Sequence, residues 1–274
     1  MLSQPEEWVA FDTDPATGIE RLRARFTRHA YDRHAHETFA IGMTEAGSQT
    51  FTCRGVRHAT RPGAIMLFNP TELHDGRATT AEGFTYRMLY VEVATVRRSL
   101  AGEVGDPEPL FDRPMALDLP TARLVTRAYD ALTPEAPALA RDEGLLRLLL
   151  RLARRYGGAS LPAPGGRSDR AILTVRDRLR DAPEDDVSLQ DLADLAGLSR
   201  FHLTRLFQRR FGLAPSVYLR LLRLERAKRR LAAGEPPADV AAALGFADQA
   251  HLTRRFKAAY GMTPGRYRAG RLRC

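Results

Sequence analysis

The side chains best suited to chemistry in this chain belong to a pattern that occurs twice, 49 residues apart. The residues His-Leu-Thr-Arg occupy 202–205 in the first copy and 251–254 in the second. A bidentate contact between arginine and guanine contributes about 1–3 kcal/mol of discrimination between bases. Two matched sets of such hydrogen-bonding groups indicate recognition of a nucleic acid rather than catalysis.

The match between the two copies extends well beyond these four residues. Each copy continues with an aromatic residue, an aromatic–glycine pair, a proline and a tyrosine at the same offsets. These residues are Phe207, Phe211-Gly212, Pro215 and Tyr218 in the first copy, and Phe256, Tyr260-Gly261, Pro264 and Tyr267 in the second. Because no matched position slips in register, the sequence indicates a duplicated structural unit.

Two helices joined by a tight turn must position each set of donors. In each copy a short apolar-periodic segment leads to a turn with Gly197 or Gly245, and an amphipathic helix follows. Ser199 and Asp248 are suitable N-caps for these second helices. The pattern predicts two helix-turn-helix units, over about 188–210 and about 237–259, whose second helices can enter a DNA major groove. One long helix over about 215–232 is predicted to join them.

The exposed positions of the second helices are the predicted DNA contacts. Base-edge contacts are assigned to Arg200, Phe201, Thr204 and Arg205 in the first copy, and to Gln249, Ala250, Thr253 and Arg254 in the second. Phosphate contacts are assigned to Gln208, Arg209 and Lys257. The alternative is a pair of ordinary helical hairpins with a solvated arginine face. Duplication, matched caps and basic outer faces in both copies weigh against that alternative.

The charge of the chain is concentrated on the same half. Residues 168–274 contain 21 basic and 12 acidic side chains, whereas residues 1–167 contain 21 of each. The whole formal charge of +9 therefore belongs to the half that carries the repeated helices. Such a distribution is typical of a nucleic-acid partner.

These residues resemble the DNA-binding domain of the AraC/XylS transcriptional regulators. The resemblance covers roughly Ser188–Tyr267, and its most specific residues are Gly245-Phe246, Phe256, Gly261, Thr263-Pro264 and Tyr267-Arg268. It implies that the two second helices enter successive major grooves of double-stranded promoter DNA, about 34 Å apart. It also implies a homodimer and a contact with RNA polymerase.

The first half of the chain is rich in short β-like runs separated by turn residues, which favours a sandwich or barrel. Two sets of residues resemble the two halves of a cupin motif. The first is His34-Ala-His36 before Gly47, and the second is Pro62-Gly63, Asn69-Pro70 and His74 further on. The predicted fold class is therefore α+β. An N-terminal cupin-like jelly-roll domain spans 1–156, with helices over about 119–156. A linker follows over 157–167, and an all-α DNA-binding domain spans 168–274.

The mouth of such a barrel is a plausible site for a small-molecule effector. The candidate effector-binding residues are His34, His36, Thr38, His74, Arg87 and Tyr90. Strand alternation separates Tyr86, Met88 and Tyr90 from Arg87, Leu89 and Val91, and either set can be the inward one. The alternative is that these aromatic side chains belong to the core.

Three histidines can also hold a divalent transition metal. The metal-binding cupins that this motif resembles place a glutamate four or five residues after the second histidine, where this chain has Ala40 and Ile41. The missing carboxylate favours an organic effector, so no cofactor is predicted. A metal ion at His34, His36 and His74 remains the alternative.

The helices over 119–156 carry more apolar surface than one stripe requires, notably Leu145, Leu146, Leu148, Leu149, Leu150 and Leu152. An excess of this kind favours an oligomer interface, as does the resemblance, whereas simple capping of the barrel is the alternative.

Localisation is predicted from absences in the sequence. Cys53 and Cys274 form no disulfide framework, which is typical of the cytoplasm. There is no secretion signal and no apolar run of about 18 residues, so no membrane partner is expected. The first 20 or so residues, with Pro5, Pro15 and several acidic side chains, predict an arm with few anchors.

The sequence therefore predicts a bacterial, effector-responsive, sequence-specific transcription factor without catalytic residues. The alternatives are a metal-dependent cupin enzyme fused to a DNA-binding module, and a constitutive DNA-binding protein without an effector.

Overall fold

The computed structural model describes residues 7–101, 103, 110–133, 136–159 and 166–271. The chain divides into two compact units, Met1–Leu161 and Pro162–Cys274. The first unit is rich in β-sheet and the second is helical, which confirms the predicted fold class. Predictions for Cys274 and for residues 160–165 of the linker lie outside the described residues.

The first unit is built on two antiparallel sheets. Its strands are β1 (Trp8–Thr13), β2 (Glu20–Phe26), β3 (Ala30–His34), β4 (Phe39–Gly47), β5 (Gln49–Cys53), β6 (Val56–Ala59), β7 (Ala64–Phe68), β8 (His74–Ala78), β9 (Phe84–Val91), β10 (Leu110–Phe111), β11 (Met115–Leu117) and β12 (Gly157–Ala159). The larger sheet has the order β1-β2-β9-β4-β7-β11 and the smaller sheet has the order β3-β8-β5-β6. A short third sheet pairs β10 with β12.

Side chains from both faces of the larger sheet are buried. One face contributes Phe68, Tyr86 and Met88 to an apolar cluster that also contains Phe51 of the smaller sheet, so this cluster fills the barrel interior. The opposite face contributes Leu89 and other side chains to a second cluster beneath the helices. This alternation follows from the two-residue period of a strand.

Three helices cover the outer face of the larger sheet: α1 (Val93–Leu100), α2 (Leu119–Ala131) and α3 (Ala138–Tyr156). Asp118 caps α2, because its carboxylate accepts hydrogen bonds from the Thr121 amide at 3.1 Å and the Thr121 hydroxyl at 2.7 Å. The same carboxylate accepts a 2.7 Å hydrogen bond from the Tyr156 hydroxyl at the end of α3. One buried acid therefore ties both helices together.

The predicted N-terminal arm is wrong for residues 8–13, which form β1 and pair with β2. Asp12 lies directly opposite Arg21 in this pairing, and the two side chains form a 2.6 Å ion pair. Asp12, one of the acidic residues on which the arm was predicted, thus serves as a cross-strand partner. At the other end of the unit, Gly157–Ala159 belongs to a sheet rather than to a linker.

The second unit consists of seven helices among the described residues. These are α4 (Gly166–Asp181), α5 (Leu189–Ala196), α6 (Arg200–Phe211), α7 (Pro215–Ala232), α8 (Pro237–Ala243), α9 (Gln249–Tyr260) and α10 (Pro264–Arg271). Helices α5 and α6 form one helix-turn-helix unit, α8 and α9 form the other, and α7 joins them.

The two units have matching helix ends. The Ser199 side chain accepts a hydrogen bond from the His202 amide at 3.2 Å, and Asp248 accepts one from the His251 amide at 2.5 Å. Each second helix ends at a left-handed glycine with φ near 75°. Sequence duplication is therefore accompanied by duplicated backbone geometry.

Candidate nucleic-acid interface and ligand site

Apolar side chains hold each second helix by one face. In α6, Leu203 and Phe207 are fully buried, and in α9 Leu252 and Phe256 occupy the equivalent positions. The opposite faces are exposed or half-buried and carry all the predicted DNA contacts: Arg200, Phe201, Thr204, Arg205, Gln208, Arg209, Gln249, Ala250, Thr253, Arg254 and Lys257. The helical period of 3.6 residues explains this separation.

Phe201 is the most unusual of these side chains. It is 79% exposed at the second position of α6, where an aromatic ring has no burial to gain within its own unit. An exposed ring beside Arg200 and Arg205 can contact the methyl group of thymine in a major groove. Thr204 lies beside it, and its hydroxyl donates a 2.9 Å hydrogen bond to the Arg200 carbonyl. The Thr204 oxygen can still accept a hydrogen bond from a base.

Basic side chains of the second unit differ in their partners. Arg178 of α4 and Arg226 of α7 pair with the acidic segment after α4, Arg178 with Asp185 at 2.7 Å and Arg226 with Glu184 at 2.9 Å. In contrast, no carboxylate partner is found within the described residues for a group on the second helices, namely Arg200, Arg205, Arg209, Arg254 and Lys257. The predicted DNA contacts therefore keep their positive charge without an internal ion pair.

Two basic residues of the joining helix α7 are turned towards the protein. Lys228 is 5% exposed, and its ammonium lies 5.4 Å from the centre of the Tyr260 ring. Arg223 donates hydrogen bonds to the carbonyls of Pro183 and Gly245 at 2.8 and 3.1 Å. These side chains brace the two helix-turn-helix units within the same domain.

In the first unit, two neighbouring strands bring three histidines together. His34 ends β3 and His74 begins β8, and the two residues are direct cross-strand partners. His36 follows two residues after His34, and all three are buried. Their ring centres are 4.4 to 5.4 Å apart, and one nitrogen from each lies within 4.8 Å of the others.

The protonation states of two of these rings follow from their hydrogen bonds. Nδ1 of His34 is 2.7 Å from the Asp32 carbonyl, and Nδ1 of His74 is 3.0 Å from the Glu72 carbonyl. A carbonyl only accepts, so each Nδ1 carries a proton, and in the neutral ring Nε2 is then the acceptor nitrogen. Burial, together with His34 and His36 nearby, holds the pKa of His74 well below its usual value, so this ring is neutral at neutral pH.

Aromatic side chains surround the three imidazoles. The His74 ring is stacked on Phe68 with ring centres 3.8 Å apart, and Tyr90 contacts His36 edge-on at 4.7 Å. The Tyr31 and Tyr86 hydroxyls share a 2.8 Å hydrogen bond in the same layer. Sequence reasoning did not include this tyrosine pair among the candidates, although alternation with Tyr90 could have indicated Tyr86.

The predicted effector residues do not all lie together. Tyr90 lies beside the histidines, whereas Thr38 is half-buried after the third strand and has no described contact with them. Arg87 lies on the opposite face of β9, so grouping it with the histidines was wrong. There it pairs with Glu45 and with Asp130, the latter at 3.0 Å, and its guanidinium lies 4.9 Å from the centre of the Tyr129 ring. Arg87 therefore anchors α2 to the sheet.

Cys53 is buried beside this layer and is a free thiol. Burial raises the pKa of the Cys53 thiol to about 12, which suppresses the thiolate and argues against a reactive cysteine. Among the described residues, no helix is long and apolar enough to cross a membrane.

The arrangement defines a two-part protein: a sheet-rich domain with an enclosed polar cluster, followed by a double helix-turn-helix domain. Residues 16–175 match the family described as AraC-like ligand binding domain, and residues 192–270 match a helix-turn-helix domain family. The chain belongs to the AraC family of transcriptional regulators. It is accordingly a DNA-binding regulator with a domain for a small-molecule effector.

Relatives match across both units. The HTH-type transcriptional regulator YbfI of Bacillus subtilis is 28% identical over 244 residues, which is 87% of each chain. The transcriptional activator RhaS of Citrobacter koseri is 24% identical over 258 residues, covering 91% of this chain and 92% of RhaS. The crystal structure of ToxT from Vibrio cholerae is similar in fold, with a TM-score of 0.63 at 12% identity, covering 92% of this chain and 97% of ToxT.

Proposed function

We propose that this regulator recognises its promoter sites through two short base blocks, one read by α6 and the other by α9. The observation that carries the proposal is the pair of equivalent helix faces on which Arg200, Arg205, Arg209 and Arg254 have no carboxylate partner among the described residues. A guanidinium without an internal partner can form bidentate hydrogen bonds to guanine without breaking an existing ion pair.

Residue roles follow from position along each helix. The N-terminal turns of recognition helices approach base edges, so Arg205 and Arg254 are assigned to guanine contacts, and Phe201 to an apolar contact. Gln208, Arg209 and Lys257 lie nearer the C-terminal ends and are assigned to phosphates. The α7 helix has 18 residues and is about 27 Å long at 1.5 Å per residue, a length compatible with reading grooves about one DNA turn apart.

The ligand site is proposed to be the barrel interior around the histidine cluster. This region combines an apolar, aromatic lining with a few enclosed polar groups, which is the composition of small-molecule sites. His34, His36, His74 and Tyr90 are the proposed ligand contacts.

A homodimer is proposed through the exposed side of α3. Leu145, Leu148 and Leu149 are buried against the sheet, so they cap the barrel. However, Leu139 is 78% exposed on the same helix, and an apolar side chain left exposed there can pack against a second copy. Light scattering of the full chain measures this directly, and a monomer at micromolar concentration would contradict it. Contact with RNA polymerase stays a prediction.

The test of DNA recognition is selection of bound sequences from a random pool by the full chain, followed by gel shifts over a range of salt concentrations. Two conserved blocks separated by about one helical turn are expected. Binding that depends on salt but shows no sequence preference would refute the proposed reading of bases, because phosphate contacts alone carry no sequence information.

A further inference from the structure

We infer that His34, His36 and His74 form a binding site for a single divalent transition-metal ion inside the barrel. This inference rests on the proposed ligand site and specifies its chemistry. Three imidazoles, two on the adjacent strands β3 and β8 and one just after β3, offer one ligand nitrogen each, and these nitrogens all lie within 4.8 Å of one another. Three histidines with an open fourth position are an established ligand set for zinc.

The spacing of the nitrogens suits one shared ion after a small adjustment. Three points that are at most 4.8 Å apart fit around a centre no farther than about 2.8 Å from each, whereas a Zn–N bond is about 2.0–2.1 Å long. The nitrogens must therefore move inward by less than about 1 Å. Rotations of the three side chains can provide this movement without a change in backbone.

The hydrogen bonds to the rings prepare the correct tautomer for metal binding. Backbone carbonyls of Asp32 and Glu72 accept from Nδ1 of His34 and His74, which makes Nε2 the nitrogen with the lone pair. Orientation of a ligand histidine by a carbonyl acceptor on its other nitrogen is characteristic of metal sites. Stacking of the His74 ring on Phe68 also fixes the plane of that ring.

Among the described residues the cluster contains histidines and no carboxylate, and this determines the kind of ligand that the ion would bind. Three neutral imidazoles leave a charge of +2 within an aromatic layer, and an uncompensated buried charge is costly. An anionic oxygen donor at the open position would offset this charge. The inference therefore assigns the effector to small anions that coordinate a metal, such as carboxylates. The Tyr90 ring lies against His36 in the same cluster.

The test uses the full chain, freed of metal with a chelator and titrated with Co²⁺, whose visible spectrum reports coordination by nitrogen. We expect one Co²⁺ per chain, the absorption of a four- or five-coordinate ion, and a change in that absorption on addition of acetate. Zn²⁺ should displace Co²⁺. In His36→Ala the affinity should fall by at least about 10–100-fold, since even outer partners of a ligand have effects of this size.

His58→Ala is the matched control. His58 is a half-buried histidine of the same sheet whose ring is stacked on Phe51, and it lies outside the cluster. Its Co²⁺ affinity and spectrum should equal those of the unaltered protein. Equal loss of Co²⁺ binding in both variants, or a stoichiometry well below one in the unaltered protein, would overturn the metal site.

Thermal unfolding supplies a second readout if His36→Ala does not fold. Zn²⁺ at about 100 times its Kd should raise the melting temperature of the unaltered protein by about 5 °C or more. No shift on addition of Zn²⁺ would overturn the inference. Gel shifts on the same samples separate the two proposals: DNA binding without metal binding refutes only the metal site, whereas metal binding without sequence-specific DNA binding refutes only the proposed reading of bases.

Discussion

Replacement of Arg205 or Arg254 by alanine separates base reading from simple attraction to DNA. Both side chains are exposed on equivalent faces, and neither has a carboxylate partner among the described residues. Removal of either guanidinium therefore breaks no internal ion pair, and the free energy of unfolding should change by less than about 0.5 kcal/mol.

The effect on DNA binding should be much larger than the effect on folding. Loss of a bidentate guanine contact is worth about 1–3 kcal/mol, so affinity for the selected site should fall about 5- to 150-fold. Affinity for random DNA should fall less, because only one positive charge is removed. Moreover, Arg205→Ala should relax base preference in one block of the site, and Arg254→Ala should relax it in the other.

Arg178→Ala is the matched control, since it removes the same charge from an arginine that is paired with Asp185 at 2.7 Å. Competition gel shifts with selected and random duplexes give the specificity ratio for each variant. The proposed role is refuted if Arg205→Ala lowers affinity for both duplexes by the same factor, or if Arg178→Ala lowers the ratio equally.

Three further changes test other parts of the structure. Arg87→Ala should lower the free energy of unfolding by about 1–3 kcal/mol, because it leaves Glu45 with one fewer partner, while ligand-site spectra stay unchanged. For Asp118, burial acts to raise the carboxyl pKa, but hydrogen bonds from Thr121 and Tyr156 outweigh it and the pKa is lowered. Asp118→Asn should therefore lower the free energy of unfolding by about 1–3 kcal/mol at pH 7. Denaturant titrations should show the difference from the unaltered protein shrinking as the pH falls below about 4, where the carboxylate begins to be protonated in the unfolded chain. Phe256→Ala should lower the free energy of unfolding by about 3–5 kcal/mol and abolish specific DNA binding, since this ring is fully buried. An unchanged melting temperature would contradict its role in the core.

The helix-turn-helix units could be predicted from sequence because their signals are local. The side chains of Ser199 and Asp248 accept hydrogen bonds from backbone amides three residues ahead. Each second helix is 12 residues long and ends at a matched glycine. Helical periodicity then separates buried Leu203 from exposed Arg205. All of these relationships lie within a few turns of helix, so the sequence alone contains them.

The barrel was harder to predict because both faces of its central strand are buried. Leu89 is 0% exposed on the helix side and Tyr90 is 8% exposed on the interior side, so alternation gives no sign of which face points inward. The misassignment of Arg87 follows from this ambiguity. Its partners Glu45 and Asp130 are 42 and 43 residues away, and pairings over such distances have no local signature.

The two halves of the protein impose different limits on regulation. Because α7 joins the two helix-turn-helix units, binding of DNA by one recognition helix makes binding by the other an intramolecular step. On the proposed reading, sequence specificity is then the sum of several base contacts of modest energy. The proposed ligand residues belong to the first unit, whereas the proposed DNA contacts belong to the second. A ligand in the barrel can alter DNA affinity only if it binds two states of the chain with different affinities, and the size of the response cannot exceed that difference. If the ligand does alter DNA affinity, promoter DNA must change affinity for the ligand by the same factor, because both effects come from one shared coupling energy.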